Sequence, residues 1–275
     1  MKRKLKLIIG CGFILAALSM QAQVKERKIS RRIGFEMGFH EFFGSTIVPD
    51  RVRSIQSVDA SDMGYYDYYG EYHFSSSQAI NKVYVGIKYE ALFFKNVFGV
   101  SSGLRFYQTS AQLNHNRKND SFFWLLHQEE QSSDYISLRS IDQKNYYVSL
   151  PLEFRVFPRK RDRFFKNYFK IGGAMNYRFA TNYKIDFQDP QMSKYAGEIE
   201  NNIRKPCTFS GFIFPAFGCR WGRNIDPWFN LEFQFPGFII AQRKHAFVDP
   251  DVGLGMQFSV MLPLGSPKPV KNKKS

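Results

Sequence analysis

The feature that most constrains the fold of this chain is an alternation of apolar and polar residues over eight long segments. In residues 80–93, for example, Val83 and Val85 alternate with Tyr84 and Gly86. Because successive side chains of a β-strand point to opposite faces, a period of two predicts strands. We predict eight strands, at residues 33–43, 80–93, 98–109, 144–157, 167–181, 208–221, 228–236 and 251–262.

The lengths of these segments and of their connections favour a membrane barrel. The segments run from 9 to 15 residues, whereas strands of globular proteins average about 5–6 and a tilted membrane strand needs about 9–11. The connections alternate between long and short, as they do in transmembrane barrels. The long ones are 44–79, 110–143, 182–207 and 237–250; the short ones are 94–97, 158–166 and 222–227. We predict an all-β fold, an eight-stranded antiparallel up-and-down transmembrane β-barrel with long outer loops and short periplasmic turns.

The polarity of the two faces indicates which one is enclosed. One face of each predicted strand carries large apolar residues, and the other carries Gly, Glu, Lys and Arg. A closed interior can hold such charges as ion pairs, whereas lipid cannot. Eight strands leave a lumen that side chains fill, which disfavours a pore. The alternative is a soluble, lipocalin-like barrel with its apolar face inside. The predicted interior charge network consists of Glu36, Lys88, Glu90, Arg105, Glu153, Arg155, Lys170, Arg178 and Glu232.

Aromatic residues gather at the ends of the predicted strands, where an interfacial girdle is expected. One strand is ambiguous, because Phe212 and Phe214 fall on its polar side. The predicted girdle near the short turns consists of Phe94, Phe98, Phe157, Phe165, Trp221 and Trp228. Near the long loops it consists of Phe42, Phe43, Tyr107, Tyr146, Phe179 and Phe209.

The first 23 residues differ from the rest of the chain. Lys2, Arg3 and Lys4 precede an apolar run from Leu7 to Leu18, and small and polar residues follow. This is the pattern of a secretory signal peptide, which is too short to span a bilayer as a helix. We therefore expect a signal peptide at 1–23 and an outer-membrane barrel domain at 24–275. An uncleaved N-terminal anchor is the alternative. The expected location is the outer membrane, with the lipid bilayer as the first partner.

Nothing in the sequence selects a catalytic, cofactor or metal site. The five histidines show no metal-ligand spacing, and neither a nucleophile elbow nor a phosphate-binding glycine loop is present. We expect no enzyme activity and no cofactor. A rim-active enzyme using Ser45, Asp67 or His73 stays open as the least favoured alternative. Nucleic acid is not an expected partner, because the basic runs lie in a turn and at the termini, away from the aromatic residues.

Two surface segments are candidate contact sites. Rings beside carboxylates can stack on sugars or pack on a protein, which makes one long outer loop a candidate binding surface. Its residues are Tyr65, Tyr66, Tyr68, Tyr69 and Tyr72. A short periplasmic turn is strongly basic and could meet headgroups, peptidoglycan or an acidic protein, although simple solvation also explains it. Its residues are Arg159, Lys160, Arg161 and Arg163.

Several short stretches resemble the PorT-like outer-membrane barrels of Bacteroidetes. The matching stretches are Ile33–Gly38, Val85–Lys88, Ser102–Phe106, Ser149–Leu152, Gly172–Ala174 and Asp251–Gly255. The resemblance implies an eight-stranded barrel without enzymatic activity, and the family's namesake assists type IX secretion. One departure concerns the interior: relatives often have Glu before the Leu/Ile-Pro pair, where this chain has Ser149. We expect a non-catalytic scaffold or accessory in secretion or surface assembly, with other envelope or secretion proteins as partners. The alternative is a surface binding module that uses the Tyr-rich loop.

Overall fold

The computed structural model describes residues 30–53, 74–76, 79–94, 96–115, 122–128, 133–158, 164–223, 226–240 and 246–264. Strands make up most of these residues. They are β1 (Ser30–Thr46), β2 (Val52–Arg53), β3 (Phe74–Ser76), β4 (Ala79–Phe93), β5 (Phe98–His115), β6 (Phe122–Gln128), β7 (Ser133–Val156), β8 (Phe165–Phe187), β9 (Phe209–Trp221), β10 (Trp228–Gln234), β11 (Gly237–Ile240) and β12 (Val248–Leu264). Between β8 and β9, a 3-10 helix (Pro190–Tyr195) runs into α1 (Ala196–Asn202).

Eight of these strands form a closed antiparallel ring. The order around the ring is β1, β4, β5, β7, β8, β9, β10 and β12, and β12 pairs back to β1. Each predicted strand overlaps one strand of the ring, so the predicted all-β barrel is confirmed. Pro236 interrupts the strand formed by β10 and β11, because a proline cannot donate to the ladder; pairing resumes at Gly237. The short connections all lie at one end of the ring, which we call the short-turn end.

The ring is apolar outside and polar inside, the arrangement of transmembrane barrels. Met175 is 70 % exposed and Val83 60 %, whereas Glu36, Glu153 and Glu232 are fully buried. The exposed apolar belt includes Ile33, Phe35, Met37, Phe39, Val85, Ile87, Phe106, Leu150, Leu152, Phe154, Phe169, Ile171, Phe233, Leu254 and Leu262. A helix long and apolar enough to cross a bilayer does not occur among the described residues.

The predicted long outer loops 110–143 and 182–207 are wrong as loops, because the described parts of both are folded. Strands β5, β7 and β8 continue past the belt, and β6 forms a further strand beside β7. The 3-10 helix and α1 follow β8. We call these continuations, together with β2, β6 and the two helices, the extension. Its existence shows that the ordered protein does not end at the barrel rim.

The polarity of the strands reverses where the extension begins. On β7, the buried residues change from Glu153 to Ile141, and the exposed ones from Leu152 to Lys144. On β8, a bulge at Phe179 shifts the register, so that Ile185 and Phe187 turn inward. The extension is thus built like a soluble protein. Its buried core consists of Phe42, Val52, Ile80, Ala111, Leu113, Phe122, Trp124, Leu126, Ile136, Leu138, Ile141, Phe187, Ile199, Ile203, Ala246, Phe247 and Val248.

Four residues of the predicted girdle point into the barrel instead. Phe157 and Trp228 are fully buried at the short-turn end, and Phe42 and Tyr107 are buried near the extension. Each occupies a position whose side chain points inward in the alternation of its strand. A ring near a strand end therefore does not by itself mark the membrane–water interface. The girdle members that are exposed are Phe43, Phe94, Phe98, Phe165, Phe179 and Phe209.

The two rings on the polar side of β9 also lie inside the barrel. Phe212 and Phe214 are buried, and the space for Phe214 comes from a glycine on the neighbouring strand. A Cβ at Gly172 would lie 2.4 Å from the ring of Phe214. The interior therefore combines charged residues with bulky rings, and glycines provide the necessary room.

Candidate functional site

The most organised polar site of the described residues is an ion-pair network inside the ring. Glu153 of β7 lies at its centre, where it pairs with the Nζ of Lys88 at 2.5 Å and with the Nζ of Lys170 at 3.2 Å. The Nη2 of Arg105 also donates to it, and the hydroxyl of Ser101 donates to its Oε2 at 3.1 Å. Partners from three strands, β4, β5 and β8, thus engage the carboxylate of Glu153, as a buried charge requires.

Two more carboxylates join the network from β1 and β10. Glu36 receives two hydrogen bonds from the guanidinium of Arg105 and pairs with Lys88 at 3.0 Å. Glu232 accepts from the Nη2 of Arg155 at 2.7 Å, from Lys170 and from the hydroxyl of Tyr168. The two hydrogen bonds between Glu36 and Arg105 fix the orientation of both side chains as well as compensating their charges.

The network ends at Glu90, which pairs with the Nη1 of Arg155 at 2.9 Å. Its charges balance, since the four carboxylates Glu36, Glu90, Glu153 and Glu232 face the four cations Lys88, Arg105, Arg155 and Lys170. Eight of the nine predicted network residues therefore come together.

Arg178 does not belong to this network. Its guanidinium donates to the Oγ1 of Thr181 at 2.6 Å and to the carbonyl oxygen of Pro206 at 3.0 Å. Arg178 lies at the level where β8 leaves the belt and enters the extension, just before the bulge at Phe179. Including Arg178 in the predicted network was wrong, because it lies eight residues beyond Lys170 along β8, which is about 26 Å in a strand, far from the level of the carboxylates.

An amide and histidine layer above the network was not predicted. The Nε2 of His40 lies 2.6 Å from the Oε1 of Gln234, and the Nε2 of Gln234 donates to Glu232 at 3.0 Å. The hydroxyl of Tyr84 donates to the Oε1 of Gln257 at 2.9 Å. All these residues have the inward parity of their strands, so continuing the alternation along each strand would have found them.

The short-turn end of the lumen is filled by an aromatic and cationic layer. The guanidinium carbons of Arg32 and Arg220 lie 3.5 and 3.8 Å from the ring centre of Trp228. Arg32 also donates to the carbonyl oxygen of Asp226 at 2.9 Å. Cation–π contacts of this kind are strongest when desolvated, and they close this end of the barrel with side chains.

Every carboxylate of the network is engaged by at least one buried cation in the part of the chain that the structure describes. Groups of three or more metal-ligating side chains do not occur among the described residues. Outside the belt, on the extension, burial raises the pKa of Asp142 and also that of Tyr183.

The two predicted surface sites lie outside the described residues. These are Tyr65, Tyr66, Tyr68, Tyr69 and Tyr72, and the basic turn residues Arg159, Lys160, Arg161 and Arg163. The strands that flank the tyrosines are described: β2 pairs with β6, and β3 pairs with the end of β5. The chain therefore enters and leaves the Tyr-rich segment at the end of the molecule that carries the extension.

The comparisons with known proteins identify similar architectures. No protein-family model matches the chain, and no curated protein matches it. The outer membrane protein OprG from Pseudomonas aeruginosa has 9% sequence identity and a TM-score of 0.35, over 85% of this chain and 93% of that one. Ail, the attachment invasion locus protein of Yersinia pestis, has 13% identity and a TM-score of 0.30, over 85% and 95%. At this level of similarity, neither protein indicates a function for the chain.

Proposed function

We propose that this chain is a sealed, non-catalytic barrel of an outer membrane, which holds a folded extension at the cell surface as a scaffold or accessory in secretion or surface assembly. The reversal of polarity along β7 and β8 carries the proposal, since a strand that turns from lipid-facing to water-facing chemistry marks a membrane boundary. Residues 1–23 act in this proposal as the export signal, and 24–275 as the barrel domain.

The apolar belt supports insertion into a bilayer. Large side chains such as Phe169, Ile171 and Met175 are more than half exposed, and soluble proteins rarely expose a contiguous apolar surface of this extent. We expect the protein to fractionate with outer membranes and to resist extraction by high salt or carbonate. Recovery of the mature chain in the soluble fraction would contradict the proposal.

The filled lumen supports a role other than conduction. The charge network, the layer around Trp228 and the core of the extension occupy successive levels of the interior. An eight-stranded ring is just wide enough for such side chains. We expect planar bilayers that contain the protein to show no stable open conductance. Discrete, long-lived openings would reject a sealed barrel.

The resemblance to PorT-like barrels supports an accessory role in secretion. We propose that the partners are envelope or secretion proteins, which meet the extension on the outside and the basic turn Arg159–Arg163 in the periplasm. The test is a photo-crosslinking residue at exposed Lys184 of the extension, with belt residue Leu152 as the matched control. We expect protein adducts in intact cells from position 184 and lipid adducts from 152.

A gene deletion tests whether the protein has an accessory role in secretion or surface assembly beyond its location in the membrane. Loss of secreted or surface-assembled proteins on deletion, restored by the intact chain, is the expected result. An unchanged set of secreted and surface proteins, together with equal protein capture from positions 184 and 152, would argue against an accessory role.

A surface binding module is the second candidate, favoured by the pairing of β2 and β3 at the end that carries the extension. In this case Tyr65, Tyr66, Tyr68 and Tyr69 contact a glycan or a host protein. Replacing these four tyrosines with serine is expected to abolish capture of that ligand by intact cells. A matched control is the same replacement at exposed Tyr135 of β7. Equal capture by all variants would discard this candidate.

A further inference from the structure

Lys82 of β4 is a buried lysine that the charge network does not include. Its side chain is 3 % exposed and lies between the network and the core of the extension. The Nζ atom is 3.9 Å from the ring centres of both Tyr107 and Phe212. Rings stabilise an ammonium by cation–π contact, but burying a full charge costs far more than such contacts return.

The described residues do not provide a counter-charge for Lys82. The four interior carboxylates of the network are matched by four other cations, and none of them forms an ion pair with Lys82. The neighbouring His40 is a further potential cation, and its Nε2 is held by Gln234. A protonated Lys82 would therefore lie at this level of the lumen without a counter-charge from the described residues.

A small cavity adjoins Lys82. Its volume is about 20 Å³, and its lining includes Lys82, Phe42, Tyr107, Thr109, Tyr147 and Ser210. Four of these side chains carry hydroxyl groups. The hydroxyls of Thr109 and Ser210 accept hydrogen bonds from Asn145 and Asn176 at 3.4 and 3.2 Å. Each hydroxyl therefore keeps its own proton for donation towards the cavity or towards a neighbouring tyrosine oxygen.

We propose that this cavity binds a monatomic halide anion, which is chloride under ordinary conditions. The site combines the amine of Lys82 with four hydroxyl groups and contains no carboxylate in its lining. An anion there would provide the counter-charge for a protonated Lys82 and accept hydrogen bonds from the hydroxyls. A cavity of this size holds about one water-sized occupant, which excludes sulfate, phosphate and organic acids. The proposal does not depend on the identity of any protein partner.

Bromide replaces chloride as the probe, because it can be located by anomalous scattering. The full chain, folded in detergent micelles, is crystallised in sodium bromide. Its heat-unfolding midpoint is measured in bromide and in gluconate at equal ionic strength. We expect an anomalous peak beside Lys82 and a midpoint that rises with the logarithm of bromide concentration, since a ligand that binds the folded state stabilises it.

Two lysine variants make the test specific. Lys82→Met is expected to lose both the peak and the bromide-dependent rise, whereas Lys184→Met, which removes an exposed lysine of the extension, is expected to keep them. Should Lys82→Met fail to fold, the wild-type crystal and titration decide alone. A cavity that holds only water in bromide, a peak at crystal concentration without any rise in solution, or a peak that persists in Lys82→Met would each overturn the proposal.

Discussion

Two regions of the molecule share the same strands but follow opposite rules of burial. In the ring, β7 turns Leu152 outward and encloses Glu153; in the extension, the same strand exposes Lys144 and encloses Ile141. The backbone pairing continues across the boundary. What changes is the surroundings of the outer face, which are apolar in the ring and aqueous in the extension. The alternation of side chains therefore predicts a strand, whereas which of its two faces is apolar indicates whether the outer face meets lipid or water.

The two regions are also stabilised by different interactions. The extension buries a contiguous apolar cluster around Trp124, Leu138 and Ile199, so its stability follows from removing apolar surface from water. The interior of the ring buries paired charges, for which desolvation offsets much of the Coulomb energy. Breaking one ion pair and truncating one apolar side chain should therefore have different consequences.

The largest effect is expected at the centre of the charge network. Glu153→Gln leaves Lys88, Arg105 and Lys170 with one carboxylate fewer, and breaking a buried network in this way costs about 3–5 kcal/mol. The measurement is the free energy of unfolding by urea in lipid vesicles. Glu41→Gln, at an exposed position of β1, is the matched control and should change it little.

A charge-balancing variant sharpens this prediction. Adding Lys88→Met to Glu153→Gln removes one cation, so the double variant should recover part of the lost stability. A loss of less than about 1 kcal/mol for Glu153→Gln would contradict a balanced network. So would a double variant whose loss of unfolding free energy equals the sum of the losses of the two single variants.

The next effect is expected in the core of the extension. Leu138→Ala removes part of a fully buried side chain and should cost about 2–5 kcal/mol. The loss should be local, because the belt levels of the ring are held together by the interior charge network and not by this core. Hydrogen exchange is the measurement, with faster exchange expected in β6 and the start of β7 and unchanged protection in residues 33–38 of β1 and 256–262 of β12.

A leucine that faces the proposed lipid provides the control. Leu262→Ala truncates a half-exposed side chain of the belt and leaves no internal cavity, so its cost should be clearly smaller. Equal costs for the two leucines, or exchange that increases throughout the ring after Leu138→Ala, would contradict the division into two regions.

A third, somewhat smaller effect compares one substitution on the two outer surfaces. Leu152→Arg places a charge on the belt and should cost about 2–4 kcal/mol if the site is near the bilayer midplane. Ser140→Arg places the same side chain on the extension opposite Asp186, and should change stability by less than about 0.5 kcal/mol. Folding into vesicles of both variants measures the difference, and similar values would mean that the belt does not face lipid.

Much of the ring could be predicted because every strand of it follows the same rule, with apolar side chains facing outward and polar side chains facing the closed lumen. The parity that identified Glu36, Lys88 and Glu153 also applies to Lys82, which shares the inward face of β4 with Tyr84. Phe157 and Trp228 are buried although they lie near strand ends, because the alternation along the strand, and not the distance from its end, decides which way a side chain points.

The extension was missed because its alternation has the opposite sense. Ala111 and Leu113 alternate with Gln112 and Asn114 in the pattern of a water-exposed strand, which resembles a polar loop when apolar outer faces are expected. Arg178 faces inward like the network residues, and its distance from them along β8 keeps it out of the network. The bulge at Phe179 begins beyond it and has no sequence signal, because it follows from how β7 and β8 pair.

The smallest effect concerns ionisation on the water-exposed region. Burial raises the pKa of Asp142 above its ordinary value of 3.8, and the carboxylate of Asp186 adds to this against the opposing lysines Lys184 and Lys144. Because the folded state takes up the proton more readily than the unfolded chain, the contribution of this group to stability is largest below pH 3.8 and declines as the pH rises through the raised value. In Asp142→Asn that decline should disappear. The carboxyl carbon shift of Asp142, followed by NMR, should titrate with a midpoint above 3.8. A midpoint at or below 3.8 would contradict the prediction that burial outweighs the two lysines.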